Sequence, residues 1–145
     1  MIIYVLVCAG QNILNLDKIN NILKKNKVYY CISNNSYNLF NLNKFKFLKN
    51  RKIEWSNINS IPKPNLILIY PLSVNTFVKI NYNILDNLLL TTYFYNNCKK
   101  LLFLNCDPIL INDNINKLIK NYKNKRDNLF INYNLEKTIN ILEEL

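Results

Sequence analysis

The stretch NLILIYPLSVNT, from Asn65 to Thr76, joins an apolar run to a polar turn. Leu66 to Tyr70 form an uninterrupted hydrophobic segment with β-branched residues, which is typical of a strand buried on both faces. A proline and three small polar residues follow in the next six positions. Serine, asparagine and threonine begin helices because their side chains accept hydrogen bonds from free backbone N–H groups. The stretch therefore predicts a buried strand that ends in a turn and leads into a helix.

The rest of the chain repeats this alternation of strand and helix. The predicted strands are Ile2–Cys8, Val28–Ile32, Leu66–Tyr70, Lys100–Asn105 and Leu129–Ile131. The predicted helices are Asn12–Asn26, Asn75–Ile80, Ile84–Tyr95, Ile109–Tyr122 and Leu135–Leu145, with a short helix or turn at Tyr37–Leu42. A short strand is expected around Phe45, Phe47 and Ile53, and a loop after Trp55. Strands that are apolar throughout predict an α/β fold with a central parallel sheet covered on both faces, in one domain over residues 1–145.

The composition of the chain limits the classes of partner that we expect it to bind. The 145 residues carry a formal net charge of +10, almost all from scattered lysines. Without an arginine cluster or an aromatic–basic platform, this charge does not predict a nucleic-acid partner. The longest apolar run, Met1 to Ala9, is far shorter than the roughly 20 residues of a membrane span. We expect no membrane association and a cytoplasmic location.

The four cysteines do not form a metal motif. They are Cys8, Cys31, Cys98 and Cys106, with no CxxC pair, and the chain has no histidine to complete a zinc site. Cys8 and Cys31 fall in predicted strands, where a buried free thiol is expected. We therefore predict no metal site and no disulfide framework.

Three turns lie between a predicted strand and a predicted helix: Gly10-Gln11-Asn12, Ser33 to Ser36, and Pro71 to Thr76. Parallel sheets bind ligands beyond the carboxyl ends of their strands, and helix N-termini offer N–H groups to a phosphate. The same residues are also ordinary helix caps. The pattern leaves both interpretations open.

The turn Pro71-Leu72-Ser73-Val74-Asn75-Thr76 resembles the Pro-Ala-Ser-Ala-Asn-Thr element of the homo-oligomeric flavin-containing cysteine decarboxylases. This family includes phosphopantothenoylcysteine decarboxylase and the lantibiotic peptidyl-cysteine decarboxylases. Asp86-Asn87-Leu88-Leu89 is similar to a downstream element of the lantibiotic branch, and Cys8-Ala9-Gly10 resembles its first turn. The resemblance covers roughly residues 2–119.

The resemblance implies a flavodoxin-like three-layer sandwich that binds FMN. Ser73 and Thr76 would contact FMN, with Val74 and Asn75 between them in the same turn. Ser33 and the Gly10-Gln11-Asn12 turn would complete the pocket. The substrate would be a small molecule that contains cysteine, and the chain would form a homo-oligomer, as a trimer or a multiple of one.

Two catalytic positions depart from the family. The active-site histidine sits about fourteen residues before the motif's proline, where this chain has Asn57, and asparagine does not transfer protons near pH 7. The family's Pro-x-Met-Asn, whose asparagine holds the substrate carboxylate, aligns without gaps to Leu104-Asn105-Cys106-Asp107. Asp107 there would repel a carboxylate, whereas Asn105 could serve after a shift of two positions. We also expect no substrate flap after this point.

Two functional interpretations follow. The first is an FMN-dependent decarboxylase of a cysteine-derived carboxylate in coenzyme A biosynthesis, with peptide modification as a variant. The second is a catalytically degenerate FMN-binding subunit or regulator. In this family the flavin site lies between subunits and the histidine comes from the neighbour, so such a subunit would pair with a relative that carries the histidine. A flavodoxin-like domain that binds another phosphate ligand, or none, is the remaining alternative.

Overall fold

Five parallel strands form one sheet at the centre of the computed structural model. The strands are β1 (Ile2–Val7), β2 (Lys27–Ile32), β3 (Leu66–Leu72), β4 (Lys99–Leu104) and β5 (Leu129–Ile131). Their order across the sheet is β2-β1-β3-β4-β5, and every neighbouring pair is parallel. This is the order of a flavodoxin-like fold, so the predicted fold class is confirmed.

Within the part of the chain that the structure describes, six helices cover the two faces of the sheet. They are α1 (Leu16–Leu23), α2 (Asn34–Leu39), α3 (Val74–Asn81), α4 (Leu88–Tyr95), α5 (Asp113–Lys125) and α6 (Leu135–Glu143). The structure describes residues 1–105, 107–125, 128–131 and 134–145, apart from the side chains at positions 11, 124 and 125. Among these residues, no helix is long and apolar enough to cross a membrane.

Alternate residues of each strand supply two separate hydrophobic layers, because successive side chains of a strand point to opposite faces. On β1, Ile3 and Val5 pack with α1 and α6, whereas Tyr4 and Leu6 pack with α3, α4 and α5. The amphipathic face of α1 buries Leu16, Ile19 and Leu23 at helical spacing. The two layers explain why the strands are apolar throughout.

The proline in β3 is accommodated by an irregularity in the sheet. Pairing of β3 with β4 passes from Ile69–Leu102 to Leu72–Leu104, so Tyr70 and Pro71 lie opposite a single residue of β4. A proline has no N–H to donate to a ladder, and a bulge is where a central strand tolerates one. The strand therefore continues two residues beyond the predicted end at Tyr70.

The segment around Phe45 was predicted as a short strand, and that prediction is wrong. Residues Leu42–Lys44 and Lys46–Leu48 form two 3-10 turns, and only Lys52 makes an isolated bridge, to Tyr30. Leu42, Phe45 and Leu48 are buried at a spacing of three, which is the period of a 3-10 helix.

Three predicted helices begin later than expected because of polar caps or tighter turns. Residues Gln11–Asn15 form a 3-10 turn before α1. The Leu90 N–H donates to Asn87 Oδ1 at 2.9 Å, which begins α4 after Asn87 instead of at Ile84. The Ile115 N–H donates to Asn112 Oδ1 at 3.0 Å, so α5 follows a separate 3-10 turn at Pro108–Leu110.

Candidate functional site

The turns that follow β1, β2, β3 and β4 are joined in a row at the carboxyl edge of the sheet. The backbone N–H of Cys8 donates to the carbonyl of Pro71 at 3.0 Å, and that of Ser33 donates to Val7 at 2.9 Å. On the other side, the N–H of Asn105 donates to the carbonyl of Leu72 at 3.0 Å. The switch in strand order between β1 and β3 lies in this row, which is where α/β sheets bind ligands.

The polar residues of the β3 turn cap α3. Ser73 Oγ accepts from the Thr76 N–H at 3.2 Å and donates to Thr76 Oγ1 at 3.0 Å. Asn75, between them, is exposed, and its amide makes no hydrogen bond with a described residue. The helix cap that the sequence left as an alternative is therefore present, while the Asn75 side chain is available to a ligand.

The thiol of Cys8 lies beneath this turn. It is buried and free, and Cys8 Sγ donates to Thr76 Oγ1 over 3.5 Å. Burial raises the pKa of this thiol, while its hydrogen bonds with Thr76 and Ser73 partly offset the effect. Cys8 is therefore a neutral group that supports the turn. Cys31, in β2, is also buried and free, as expected.

Gly10 allows the β1 turn to approach the β3 turn closely. A Cβ atom at Gly10 would lie 3.2 Å from Pro71 Cγ and 3.5 Å from Asn105 Nδ2. Its φ of 175° is extended, so the requirement for glycine is one of space. Three predicted site segments, the turns at Gly10, Pro71 and Asn105, thus meet at one place; Asn12 is partly buried in the same turn, and the Gln11 side chain lies outside the described residues.

Ser33 lies one strand away and caps α2. Its Oγ accepts from the Ser36 N–H at 3.4 Å and is 2.8 Å from Ser36 Oγ, which in turn donates to the Val7 carbonyl at 3.5 Å. Ser33 also lines a cavity of about 560 Å³, a size ordinary for ligand pockets. The cavity does not include the turns at Gly10 and Ser73.

The walls of this cavity come from four segments: the end of β2, α2 with its preceding turn, residues 52–55, and residues 86–89. Tyr37, Lys52 and Trp55 supply side chains that sequence reasoning missed. The sequence contained one indication of this cavity, the single tryptophan Trp55 at the start of a predicted loop. In the structure 63% of its surface is exposed. The Lys52 ammonium lies 4.8 Å from the centre of the Tyr37 ring, which is a cation–π contact.

Asn57 organises the loop that forms one wall. Its Nδ2 donates to the Lys52 carbonyl at 2.8 Å, and its Oδ1 accepts from the Glu54 N–H at 2.8 Å. Its own carbonyl accepts from the N–H and hydroxyl of Ser60, both at 2.9 Å. Asn57 does not line the cavity. Within one chain, it acts on the shape of the loop.

Asp107 is exposed and caps a 3-10 turn. Its Oδ1 accepts from the Ile109 N–H at 3.0 Å. Asn105 is closer to the meeting point of the turns, since its Nδ2 faces the Gly10 position. The preceding residue of the aligned motif, Cys106, lies outside the described residues. No group of three metal-ligating His, Cys, Asp or Glu side chains occurs within the described part of the chain.

Comparison with known proteins supports the fold. No family model and no curated protein matches the chain. Among solved structures, the peptidyl-cysteine decarboxylase EpiD is 24% identical, with a TM-score of 0.75 and coverage of 97% of each chain. The FMN-dependent cysteine decarboxylase TvaF from thioviridamide biosynthesis is 9% identical, with a TM-score of 0.79 over 99% of this chain and 96% of that one. PPC decarboxylase, in complex with pantothenoylaminoethenethiol, is 15% identical, with a TM-score of 0.68 over 90% and 80%. The structural neighbours are thus cysteine decarboxylases, and the likeness shows a shared fold.

Proposed function

We propose that this chain binds FMN and is a decarboxylase of a cysteine-derived carboxylate, similar to phosphopantothenoylcysteine decarboxylase and acting in coenzyme A biosynthesis. The observation that carries the proposal is the Pro71–Thr76 turn, which caps α3 where the β1 and β3 turns meet. Hydroxyls, an exposed amide and a helix N-terminus are gathered there around a glycine. These groups suit a phosphorylated cofactor.

The chemical types of the residues at this site suit FMN. Ser73, Asn75 and Thr76 would contact it from one side, with Val74 beside them, and the Gly10–Asn12 turn and Ser33 would bind it from the other. The absence of a side chain at Gly10 keeps that approach open, because even a Cβ would contact Pro71. When bound, FMN supplies the oxidation chemistry at the substrate thiol that accompanies loss of CO2.

Substrate groups would be held by amides of the chain. Asn105, at the meeting point of the turns, is the proposed partner of the substrate carboxylate, since its Nδ2 can donate to an oxygen. Asp107 is engaged in its 3-10 turn and would repel a carboxylate, so we assign it no contact with substrate. Asn57 would shape the loop beside the site.

The neighbours support this reading. SpaF and TvaF are FMN-dependent cysteine decarboxylases, and AtHal3 is an FMN-binding protein. A histidine-to-asparagine variant of EpiD has been solved with its substrate peptide DSYTC. That complex supports substrate binding by a chain with asparagine in place of a histidine.

A catalytically degenerate subunit is the second candidate, and Asn57 favours it. Both ends of its amide are used by the loop, and the chain contains no histidine. An asparagine cannot replace an imidazole as acid or base. The active assembly would then be a mixed oligomer with a relative that carries the histidine. CO2 release by the pure protein alone favours the first candidate, and release only after addition of such a relative favours the second.

The absorbance spectrum of the purified protein tests the cofactor. Two flavin bands, with FMN identified after acid release, are expected. Asn75→Ala should lose FMN without loss of stability, and Ser73→Ala should lose FMN together with a helix cap. Asn134→Ala is the matched control, because Asn134 caps α6 in the same way, with the Lys137 N–H at 2.8 Å. A colourless protein that takes up no added FMN refutes the proposal.

A further inference from the structure

The Thr76 hydroxyl, in the turn that we assign to the cofactor, accepts two hydrogen bonds. One comes from Ser73 Oγ at 3.0 Å, and the other comes from the Cys8 thiol, whose Sγ lies 3.5 Å from Thr76 Oγ1. A hydroxyl group has one proton and two lone pairs, so both of its acceptor positions are filled. Thr76 can therefore serve a ligand through its hydroxyl only as a donor.

The proton of this hydroxyl is left for a ligand. Within the described part of the chain, Thr76 Oγ1 donates to no acceptor. A threonine in a helix often donates to the carbonyl four residues earlier, as Thr92 does at 2.8 Å. For Thr76 that carbonyl belongs to Leu72, which accepts instead from the Asn105 N–H at 3.0 Å. The hydroxyl proton is thus not used by the helix itself.

The Cys8 thiol is held in place by the same turn. Its backbone N–H donates to the Pro71 carbonyl at 3.0 Å, and the residue is buried. Burial raises the pKa of the thiol, and its hydrogen bonds with Thr76 and Ser73 offset only part of this effect. The sulfur therefore keeps its proton at neutral pH and remains a donor to Thr76.

A turn that offers only donors suits an ionised phosphate better than a hydroxyl group. A phosphate monoester accepts hydrogen bonds at three anionic oxygens. The first N–H groups of α3 add further donors beside the Thr76 hydroxyl, since they have no partner within the helix. The terminal hydroxyl of riboflavin carries no charge and makes weaker hydrogen bonds with the same donors. The direction of the Thr76 proton therefore bears on the choice between the two flavins.

We propose that Cys8 is a positioning residue for the cofactor phosphate. By donating to Thr76 Oγ1, its thiol keeps the threonine proton directed at the ligand, so that the turn prefers FMN to riboflavin. Without the thiol, Thr76 regains a free lone pair, and its hydroxyl can rotate so that this lone pair faces the phosphate. The inference rests on the proposed function and adds a residue that touches no ligand itself.

The ratio of the affinities for FMN and riboflavin measures this preference without any assay of activity. The purified protein, freed of bound flavin, is titrated with each compound, and flavin fluorescence follows binding. Cys8→Ala should lower the ratio by about threefold to tenfold, which is the effect of losing one hydrogen bond. Loss of packing alone would weaken both flavins alike, because they share the ring system and the ribityl chain.

Three further variants complete the test. Cys8→Ser keeps a donor at the same place and should keep the ratio of the wild type. Cys31→Ala is the matched control, since Cys31 is a buried free thiol that bonds with Thr92 in place of Thr76, and it should also leave the ratio unchanged. Thr76→Val removes the hydroxyl and should lower the ratio by itself. Cys8→Ala added to Thr76→Val should then cause no further fall, because the two residues act through one bond.

Three results overturn the inference. The first is a Cys8→Ala protein with the FMN preference of the wild type, and the second is an unchanged preference in Thr76→Val, which is measured even where Cys8→Ala does not fold. The third is an equal effect of Cys8→Ala with and without the Thr76 hydroxyl. Failure of the wild-type protein to bind FMN refutes the proposed function and this inference with it, and it is recognised before any variant is made.

Discussion

The side chain of Asn57 donates a 2.8 Å hydrogen bond to the backbone carbonyl of Lys52. Asn57 stands at the position that we assign to the catalytic histidine of the cysteine decarboxylases. Its bond holds the backbone of Lys52, a residue that lines the cavity. The second bond, from the Glu54 N–H to Asn57 Oδ1, closes the same loop. The loop therefore depends on an amide with one donor and one acceptor in fixed places.

Asn57→Ala should lower the free energy of unfolding by about 1–2 kcal/mol, because two backbone groups lose their partner. Urea denaturation measures the change. Asn59→Ala is the matched control, since Asn59 is exposed and lies two residues along the same loop. Equal stabilities of the two variants would contradict a structural role for the Asn57 amide.

Asn57→His should raise CO2 release from a cysteine-derived substrate if the chain is a decarboxylase that lacks only its acid–base group. An imidazole can exchange a proton near neutral pH, whereas an amide cannot. Release is measured with FMN-loaded protein, with Asn57→Gln as the control that keeps an amide. An unchanged rate would indicate that Asn57 is not at the catalytic position or that other substitutions limit the reaction.

Gly10→Val should destabilise the fold by about 1–3 kcal/mol, because the added atoms overfill the contact with Pro71 and Asn105. Gly10→Ala should cost less, since a single Cβ at 3.2 Å from a proline ring carbon needs only a small shift. Thermal or urea unfolding measures the stabilities of the wild type, Gly10→Ala and Gly10→Val, which should decrease in that order. A Gly10→Val protein as stable as the wild type would show that the turns are not in close contact.

The stability of the protein should fall above pH 9 because of Cys31. Burial raises the pKa of this thiol to about 12, whereas an unfolded cysteine ionises near 8.5. Between these two pKa values the unfolded state loses the thiol proton and the folded state keeps it. The free energy of unfolding therefore falls as the pH rises, by about 2 kcal/mol at pH 10. Urea unfolding at pH 7 and pH 10 should show a smaller loss for Cys31→Ala than for the wild type, and an equal loss would contradict the assignment.

Local patterns in the sequence predicted most of the architecture. Unbroken apolar runs marked all five strands, and helical spacing of buried residues marked α1. The cap formed by Ser73 and Thr76 was also foreseeable, because it joins residues three positions apart. These features were readable because each depends on a few neighbouring residues and on the period of its own element.

Other local features were predicted wrongly where a short segment fits both the two-residue hydrophobic period of a strand and the three-residue period of a 3-10 turn. Phe45 and Phe47 suggested the alternation of a strand, while the burial of Leu42, Phe45 and Leu48 follows the three-residue period of 3-10 turns. Similarly, α4 begins after Asn87 because the Asn87 side chain accepts a hydrogen bond from the Leu90 N–H. The apolar residues before it had extended the predicted helix.

The sequence by itself determined the parallel sheet, its two covered faces and the polar turn after β3, since each is encoded in local hydrophobic period and capping chemistry. Only the tertiary structure decided that Gly10, Pro71 and Asn105 meet, and that Tyr37, Lys52 and Asn87 line one cavity. Such contacts join residues tens of positions apart, and they depend on strand order and on the register of parallel neighbours. No local pattern contains that information, because the sheet must form before its carboxyl edge exists.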